Sequence, residues 1–406
     1  MRKDVNRVAL GAVVALLAGI TVAGFAGAAA GSETRAAQAD PIVLGFAIGR
    51  SGWMAPYDVP PLQGAQLAVS ELNARGGILR RQLKIITSDT KTETDLLASA
   101  GIEVLDKGAD FLVASCDFDQ GGPAATVAQQ RGVVAISTCA GSNKFGPQGI
   151  GNLAFTMGSA GATQGVIMAE WSYQRRGFRR AYILYNPALD YHRQVEAGFE
   201  TRWKQLGGRL LGKDTKQTDD QSVATQIAKI RSLSPQPDVL FLADFMPSLG
   251  VATRQIRAAG INIPIASGGE NFDGNAWKAG VPNASNIYFT TYTSIYGDDP
   301  DPSVNQFYRK FRTKLGKLPP SGAAVTGYAV VQAIARAVTR AKTTEGKAVA
   351  RQLEKFRNEK LLAGPTTFTK NAHIAHKRTA RILQVQRGKT SFLTLHTPKV
   401  VVIPKT

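Results

Sequence analysis

The chain reads LQGAQLAVSELNARGGI over residues 62–78 and LKIITSD over residues 83–89. Leu62 to Asn73 reads as a helix, Gly76-Gly77 as the turn that ends it, and Leu83 to Ser88 as a strand. The same alternation extends outward. Ile42 to Ile48 reads as a strand before this pair and Thr94 to Lys107 as a helix after it. Phe111 to Ser115 and Val133 to Ser137 follow as strands, separated by a helix beginning near Pro123. Short β-branched runs alternating with longer helical stretches are the pattern of a parallel sheet with crossover helices.

A second unit of the same kind follows. Gly165 to Tyr173, Gln194 to Leu206, Val223 to Ser232 and Gly250 to Ala259 read as helices, and Arg180 to Tyr185, Asp238 to Ala243 and Pro264 to Ala266 as strands, with a weak strand at Arg209 to Leu211. Asn286 to Tyr296 is extended and aromatic-rich. Helices are expected over Val304 to Leu315, Ala323 to Ala341 and Gly346 to Phe356, then strand-like Thr366 to Thr369 and Arg378 to Gln386, and a hairpin around Gly388. Two α/β units in series imply two lobes facing one another across a cleft.

With 406 residues, 44% of them apolar, the chain has the material for two cores, which excludes a disordered tail protein. Lys and Arg number 49 against 30 Asp and Glu, a formal +19. The bases are scattered as pairs such as Arg80-Arg81 and Arg175-Arg176, without a block of like charge, so no nucleic-acid partner is expected.

Arg2, Lys3 and Arg7 precede a run from Val8 to Ala30 without a charge, and Ala37-Gln38-Ala39 has the spacing of a signal-peptidase site. Residues 1–39 therefore read as a signal peptide cleaved before Asp40, which places the mature chain in the periplasm. An uncleaved anchor is the competing reading; dilution of the run by Gly and Ala favours cleavage. Cleavage removes four bases and two acids, leaving +17 on 367 residues. Export places Cys116 and Cys139 in an oxidising compartment. Both fall at the carboxyl ends of consecutive strands, within reach of a disulfide, with two buried thiols as the alternative.

Catalytic signatures are missing: the sequence has no G-x-S-x-G, G-x-x-x-x-G-K-[ST] or H-E-x-x-H, and no G-x-G-x-x-G after the first strand. His373 and His376 are three apart, but Lys377 and Arg378 beside them would oppose a cation. No metal, no cofactor and no enzymatic activity are expected.

The order of several stretches resembles the leucine/isoleucine/valine-type periplasmic solute-binding proteins of ABC transporters. The resemblance rests on residues 62–78 and 83–89, on Pro123 to Ile136, on Arg254-Gln-Ile-Arg-Ala-Ala-Gly260, on Gly268-Gly-Glu270 and on Pro320-Ser-Gly-Ala-Ala-Val-Thr-Gly-Tyr-Ala329. It implies an α/β fold of two doubly wound parallel-sheet lobes joined by a three-stranded hinge, with the ligand in the cleft. Residues 40–155 and 294–363 would form one lobe, and 156–293 and 364–406 the other. The hinge crossings would fall near Phe155 to Gly158, Phe289 to Thr293 and Ala363 to Thr367.

Carried over residue by residue, the resemblance gives a ligand-binding set. Tyr57 would touch the ligand and Trp53 would form an apolar wall or a plug on the lobe surface. Phe118, flanked by Asp117 and Asp119, falls where the family has a serine for the ligand carboxylate. Thr138, Cys139, Ala140 and Gly141 match a small-residue loop that binds the ligand's polar groups, with Gly141 in place of a threonine. The second lobe would supply Tyr191, Phe245 and Glu270, the last resembling the acid that pairs with a ligand ammonium. With two hydroxyls missing, an amide, an amine-bearing compound or a ring suits the pocket as well as an aliphatic amino acid. The expected function is capture of one small polar solute, an amino acid or similar compound, by a monomer that closes on it and delivers it to an inner-membrane ABC permease. A periplasmic sensor of the same fold, binding an amide or aromatic compound, is the alternative.

Overall fold

The computed structural model describes residues 40–404, so the signal-peptide reading of residues 1–39 lies outside the described residues. The chain opens with β1 (Ile42–Ile48), α1 (Ala55–Asn73), β2 (Leu83–Asp89), α2 (Leu96–Asp106), β3 (Phe111–Ala114), α3 (Phe118–Gln130), β4 (Val134–Ser137) and β5 (Ala154–Thr156). These strands form an all-parallel sheet in the order β2-β1-β3-β4-β5. Strands β1, β3, β4 and β5 are buried on both faces, whereas β2 at the edge leaves Lys84 exposed. Along β1 and β3, Ile42, Leu44, Phe46, Phe111 and Val113 enter one core, while Ala47, Leu112 and Ala114 enter another on the opposite face. That is the period-two alternation of a strand, applied to residues that are apolar on both sides.

The second part contains α4 (Gly161–Gln174), β6 (Arg180–Tyr185), α5 (Asp190–Gln205), β7 (Arg209–Thr215), α6 (Ala224–Ser232), β8 (Val239–Ala243), α7 (Ser248–Ala258), β9 (Ile265–Ser267) and β10 (Ile287–Thr291). After these, α8 (Pro302–Leu315), α9 (Ala324–Ala341) and α10 (Gly346–Leu353) return to cover the first sheet, their apolar faces joining its core. The chain closes with a small ladder, β11 (Glu359–Leu361) and β12 (Gly364–Thr366), and then β13 (Ala380–Gln386) and β14 (Lys389–His396). The second sheet runs β14-β13-β10-β9-β8-β6-β7, parallel from β10 to β7, with β13 and β14 added antiparallel at the other edge.

Several helices begin earlier than their sequence suggests. α1 starts seven residues ahead of Leu62, with Pro60 and Pro61 inside it and buried. Each proline costs the helix a backbone hydrogen bond, and burial of this turn against the fold outweighs that loss. α3 starts at Phe118 and not near Pro123, because the Asp117 carboxylate caps it, accepting from the N–H groups of Asp119 and Gln120. α5 starts at Asp190, four residues ahead of Gln194.

Glycines set how closely the helices of the first lobe approach. A Cβ on Gly64 would lie 2.1 Å from the Ala324 carbonyl oxygen, and one on Gly327 would lie 1.8 Å from the Pro61 carbonyl oxygen. α1 and α9 therefore pack backbone to backbone. Arg378, buried, joins distant segments by donating to the Met157 carbonyl and, at 2.8 Å, to the Thr366 hydroxyl.

Gly327→Ala is expected to lower unfolding stability by about 1–3 kcal/mol, the usual range for overpacking. Urea denaturation, read as a shift in midpoint at constant slope, checks this.

Candidate functional site

In open α/β sheets, ligands bind beyond the carboxyl ends of the strands, where the strand order reverses. The first sheet reverses at β1, between β2 and β3, and the second at β6, between β7 and β8. The loops leaving these strands meet around an inner cavity of ≈ 50 Å³, lined by Trp53, Met54 and Tyr57 after β1, by Cys116, Asp117 and Cys139 after β3 and β4, by Leu189, Tyr191 and His192 after β6, and by Phe245, Asn271 and Tyr292. The cleft is closed.

Contacts across the cleft show how it closes. The Trp53 ring, 38% exposed on its outer side, lies 5.3 Å from that of Phe245. The Tyr57 hydroxyl accepts from the Met246 N–H at 3.2 Å. Asp119, in the first turn of α3, accepts the Asp190 N–H at 2.9 Å, so it helps cap a helix of the other lobe. Asp190 in turn accepts from the Ser142 hydroxyl and from Gln194 Nε2 at 2.6 Å, and pairs with Lys144 at 3.3 Å.

Of the residues expected against the ligand, Trp53, Tyr57, Cys139, Tyr191 and Phe245 line the cavity. Phe118, Asp119, Thr138, Ala140 and Gly141 do not. Phe118 opens α3 and lies beneath Lys144, with the ammonium 6.0 Å from its ring centre, and Asp119 is engaged in closure. In the loop after β4, the Ala140 N–H donates to Ser137 Oγ, the Ala140 carbonyl accepts from the Thr156 hydroxyl, and the Gly141 carbonyl accepts the Gly161 N–H at 2.7 Å. Glu270 opens the short turn Glu270–Phe272, and its side chain lies outside the described residues.

The glycine at 141 has a steric reason. A Cβ there would sit 2.6 Å from the Tyr191 ring, and a Cβ on Gly269, at φ +81°, would sit 2.2 Å from the Tyr191 hydroxyl. Tyr191 is wedged between two glycines, and its hydroxyl donates to Gln164 Oε1 at 2.9 Å. Glycine at this position makes room for the ring.

Cys116 and Cys139 form a disulfide, Cα to Cα 4.4 Å, that ties the loops after β3 and β4 and contributes to the cavity wall. Asp117 and His192 are buried ionisable groups of the wall. Burial pushes the Asp117 carboxyl up to about 7, the nearby Asp119 charge adding to this against two backbone N–H donors. Burial holds the His192 imidazole down at about 3, aided by the Arg193 charge, so the ring is neutral, and it stacks 5.5 Å from Phe245. Sequence reasoning missed Met54, Leu189, His192, Asn271 and Tyr292. An aspartate followed by a second acid in a helix's first turn was the available signal for Asp117 as a cap.

His373 is structural. It stacks 3.8 Å from Phe155, and its Nδ1 lies 2.8 Å from the Ala154 carbonyl. Among the described residues no cluster of three or more His, Cys, Asp or Glu could hold a metal, and no helix is long and apolar enough to cross a membrane.

Comparisons with known proteins agree with this geometry. A family model described as periplasmic binding protein matches residues 41–390. The Leu/Ile/Val-binding protein homolog 3 of Brucella melitensis is 21% identical over 341 residues, covering 84% of this chain and 90% of the relative. The leucine-specific-binding protein of Salmonella typhimurium is 23% identical over 318 residues, covering 78% and 84%. Among solved structures, the branched-chain amino acid transporter substrate-binding protein LivJ of Streptococcus pneumoniae, in complex with isoleucine, superimposes with a TM-score of 0.78 at 24% identity, covering 88% of this chain and 100% of that one. A solute-binding protein of R. palustris in complex with benzoate gives 0.74 at 18% identity, covering 89% and 98%.

Replacing both Cys116 and Cys139 by serine is expected to cost about 2–4 kcal/mol of stability, the usual effect of freeing a loop of this length. Chemical denaturation of the variant against the oxidised protein measures it.

Proposed function

Because the chain belongs to the periplasmic binding protein family, we propose that it is exported by a cleaved leader, captures one small polar solute between its lobes as a monomer, and delivers it to an inner-membrane ABC permease. As a solute-binding protein it is not an enzyme. The observation that carries the reading is the ring-lined cavity at the switch points of two sheets, closed by bonds from one lobe to the other.

In this reading the ligand shifts an open-to-closed equilibrium by binding the closed state more tightly. Trp53, Tyr57, Cys139, Tyr191 and Phe245 enclose it, and Glu270 serves its ammonium. Asp119, Thr138, Ala140, Gly141 and Phe118 set the shape of the walls. Rotation occurs at the segments near residues 155–158, 289–293 and 363–367, with lobes of 40–155 plus 294–363 and 156–293 plus 364–406. The names of the Leu/Ile/Val-binding relatives favour a compound of amino-acid size.

A thermal-shift screen of amino acids, amides, amines and aromatic acids is expected to yield at least one stabilising ligand. Binding to the native state alone adds about 2.7 kcal/mol at a hundredfold excess over Kd. Small-angle scattering should show a smaller radius of gyration with that ligand bound. A screen without a hit counts against the reading.

Trp53→Ala is expected to weaken that ligand by about 0.5–1.5 kcal/mol, the worth of one aromatic contact. Titration calorimetry on the variant reads the change.

A further inference from the structure

We infer that the inner cavity is built for an organic cation, an amine or quaternary ammonium with no carboxylate beside it, and that Asp117, alongside Glu270, is a counter-charge of the cavity and a specificity determinant. The inference rests on the solute-binding reading above and narrows its substrate class.

Six rings face the cavity: Trp53, Tyr57, Tyr191, His192, Phe245 and Tyr292. Among the described lining residues Asp117 is the only one that carries a charge, and none is a lysine or arginine. Asp117 is 6% exposed. One of its oxygens, Oδ1, accepts the N–H groups of Asp119 at 2.8 Å and Gln120 at 3.3 Å, and no described group donates to Oδ2. That arrangement has two consequences. The N–H groups that would make the start of α3 attractive to an anion are already taken. The carboxylate retains an acceptor with no partner in a desolvated, ring-walled space, the setting in which aromatic cages hold ammonium groups. The Nδ1 atom of His192, also buried in the wall, has no partner either. A ligand carboxylate would meet an acid and ring faces without a cation to receive it, which is costly in a dry site. An ammonium would meet a carboxylate and the negative faces of the rings.

The groups bearing on Asp117 reinforce its sensitivity to protons. Asp119 comes from its own helix and Asp58 from α1, both adding negative charge, while His192 from α5 is neutral throughout this range. With the carboxyl pushed up to about 7 in the empty cavity, a cation binds only after the proton leaves. Affinity for an amine therefore falls on acidification, by about tenfold between pH 8 and pH 6.

The test is titration calorimetry of the purified protein with isoamylamine, choline, leucine and isovalerate at pH 6, 7 and 8. The first and last two compounds separate the ammonium from the carboxylate on related frames. At least one of isoamylamine and choline is expected to bind at least tenfold more tightly than leucine or isovalerate, with the pH trend above. Asp117→Asn, which keeps an equally good helix cap, is expected to lose at least tenfold in amine affinity and to lose the pH trend, with its thermal midpoint confirming a folded protein. Tighter binding of leucine or isovalerate overturns the inference and leaves solute capture standing. Amine affinity unchanged in the variant, or no binding of either amine by the wild type, also overturns it. The matched compounds and the pH series on the wild type decide the matter even if the variant does not fold.

Discussion

A single buried carboxylate fixes the ligand face of the first lobe. Asp58, 1% exposed in the first turn of α1, accepts the Gly49 N–H at 2.8 Å, the Ser115 hydroxyl at 2.8 Å and the Cys116 N–H at 2.7 Å. It thereby binds the ends of β1 and β3 to one helix. Trp53 and Tyr57 flank that helix start, and Cys116 and Asp117 follow directly from the loop it holds. Burial pushes its carboxyl up to about 6 in spite of those donors, so the group is held at an energetic cost. Each donor would be left unpaired in the interior without it, and that cost is larger than the net worth of the bonds.

Closure of the two lobes uses the same device on a larger scale. Acids at the starts of α3 and α5 accept hydrogen bonds across the cleft, where helix amino ends favour negative charge. Several other acids are matched with bases, as where Glu359 receives Arg336 and Arg340, or Glu200 and the buried Glu196 receive Lys213. The surplus of base is thus a property of the outer surface.

The wall after β3 and β4 is set by close packing. Glycine at 141 leaves room for the Tyr191 ring, and the disulfide and Asp117 occupy the wall after β3 and β4. The fold decides where these side chains meet, and their chemistry decides what the cavity can take.

The alternation of apolar strands with helices, the glycine turns and the order of motifs along the chain determined the α/β class and the two lobes, and they brought Cys116 and Cys139 within reach of each other, with two buried thiols as the alternative to the bridge. These are local patterns of period and spacing, repeated often enough that no single error could displace them. Trp53, Tyr57, Cys139, Tyr191 and Phe245 came from the family resemblance, and they line one cavity. Which residues fill the remaining wall was not legible. Phe118 and Asp117 are adjacent in sequence and differ by whether a helix begins between them, a matter settled when Asp117 caps α3. His192, Asn271 and Tyr292 come from separate segments whose side-chain directions are fixed only when sheets, helices and disulfide are packed together. Tertiary packing decided the site because a cavity is defined by what converges from distant parts of the chain, and no local spacing records that convergence.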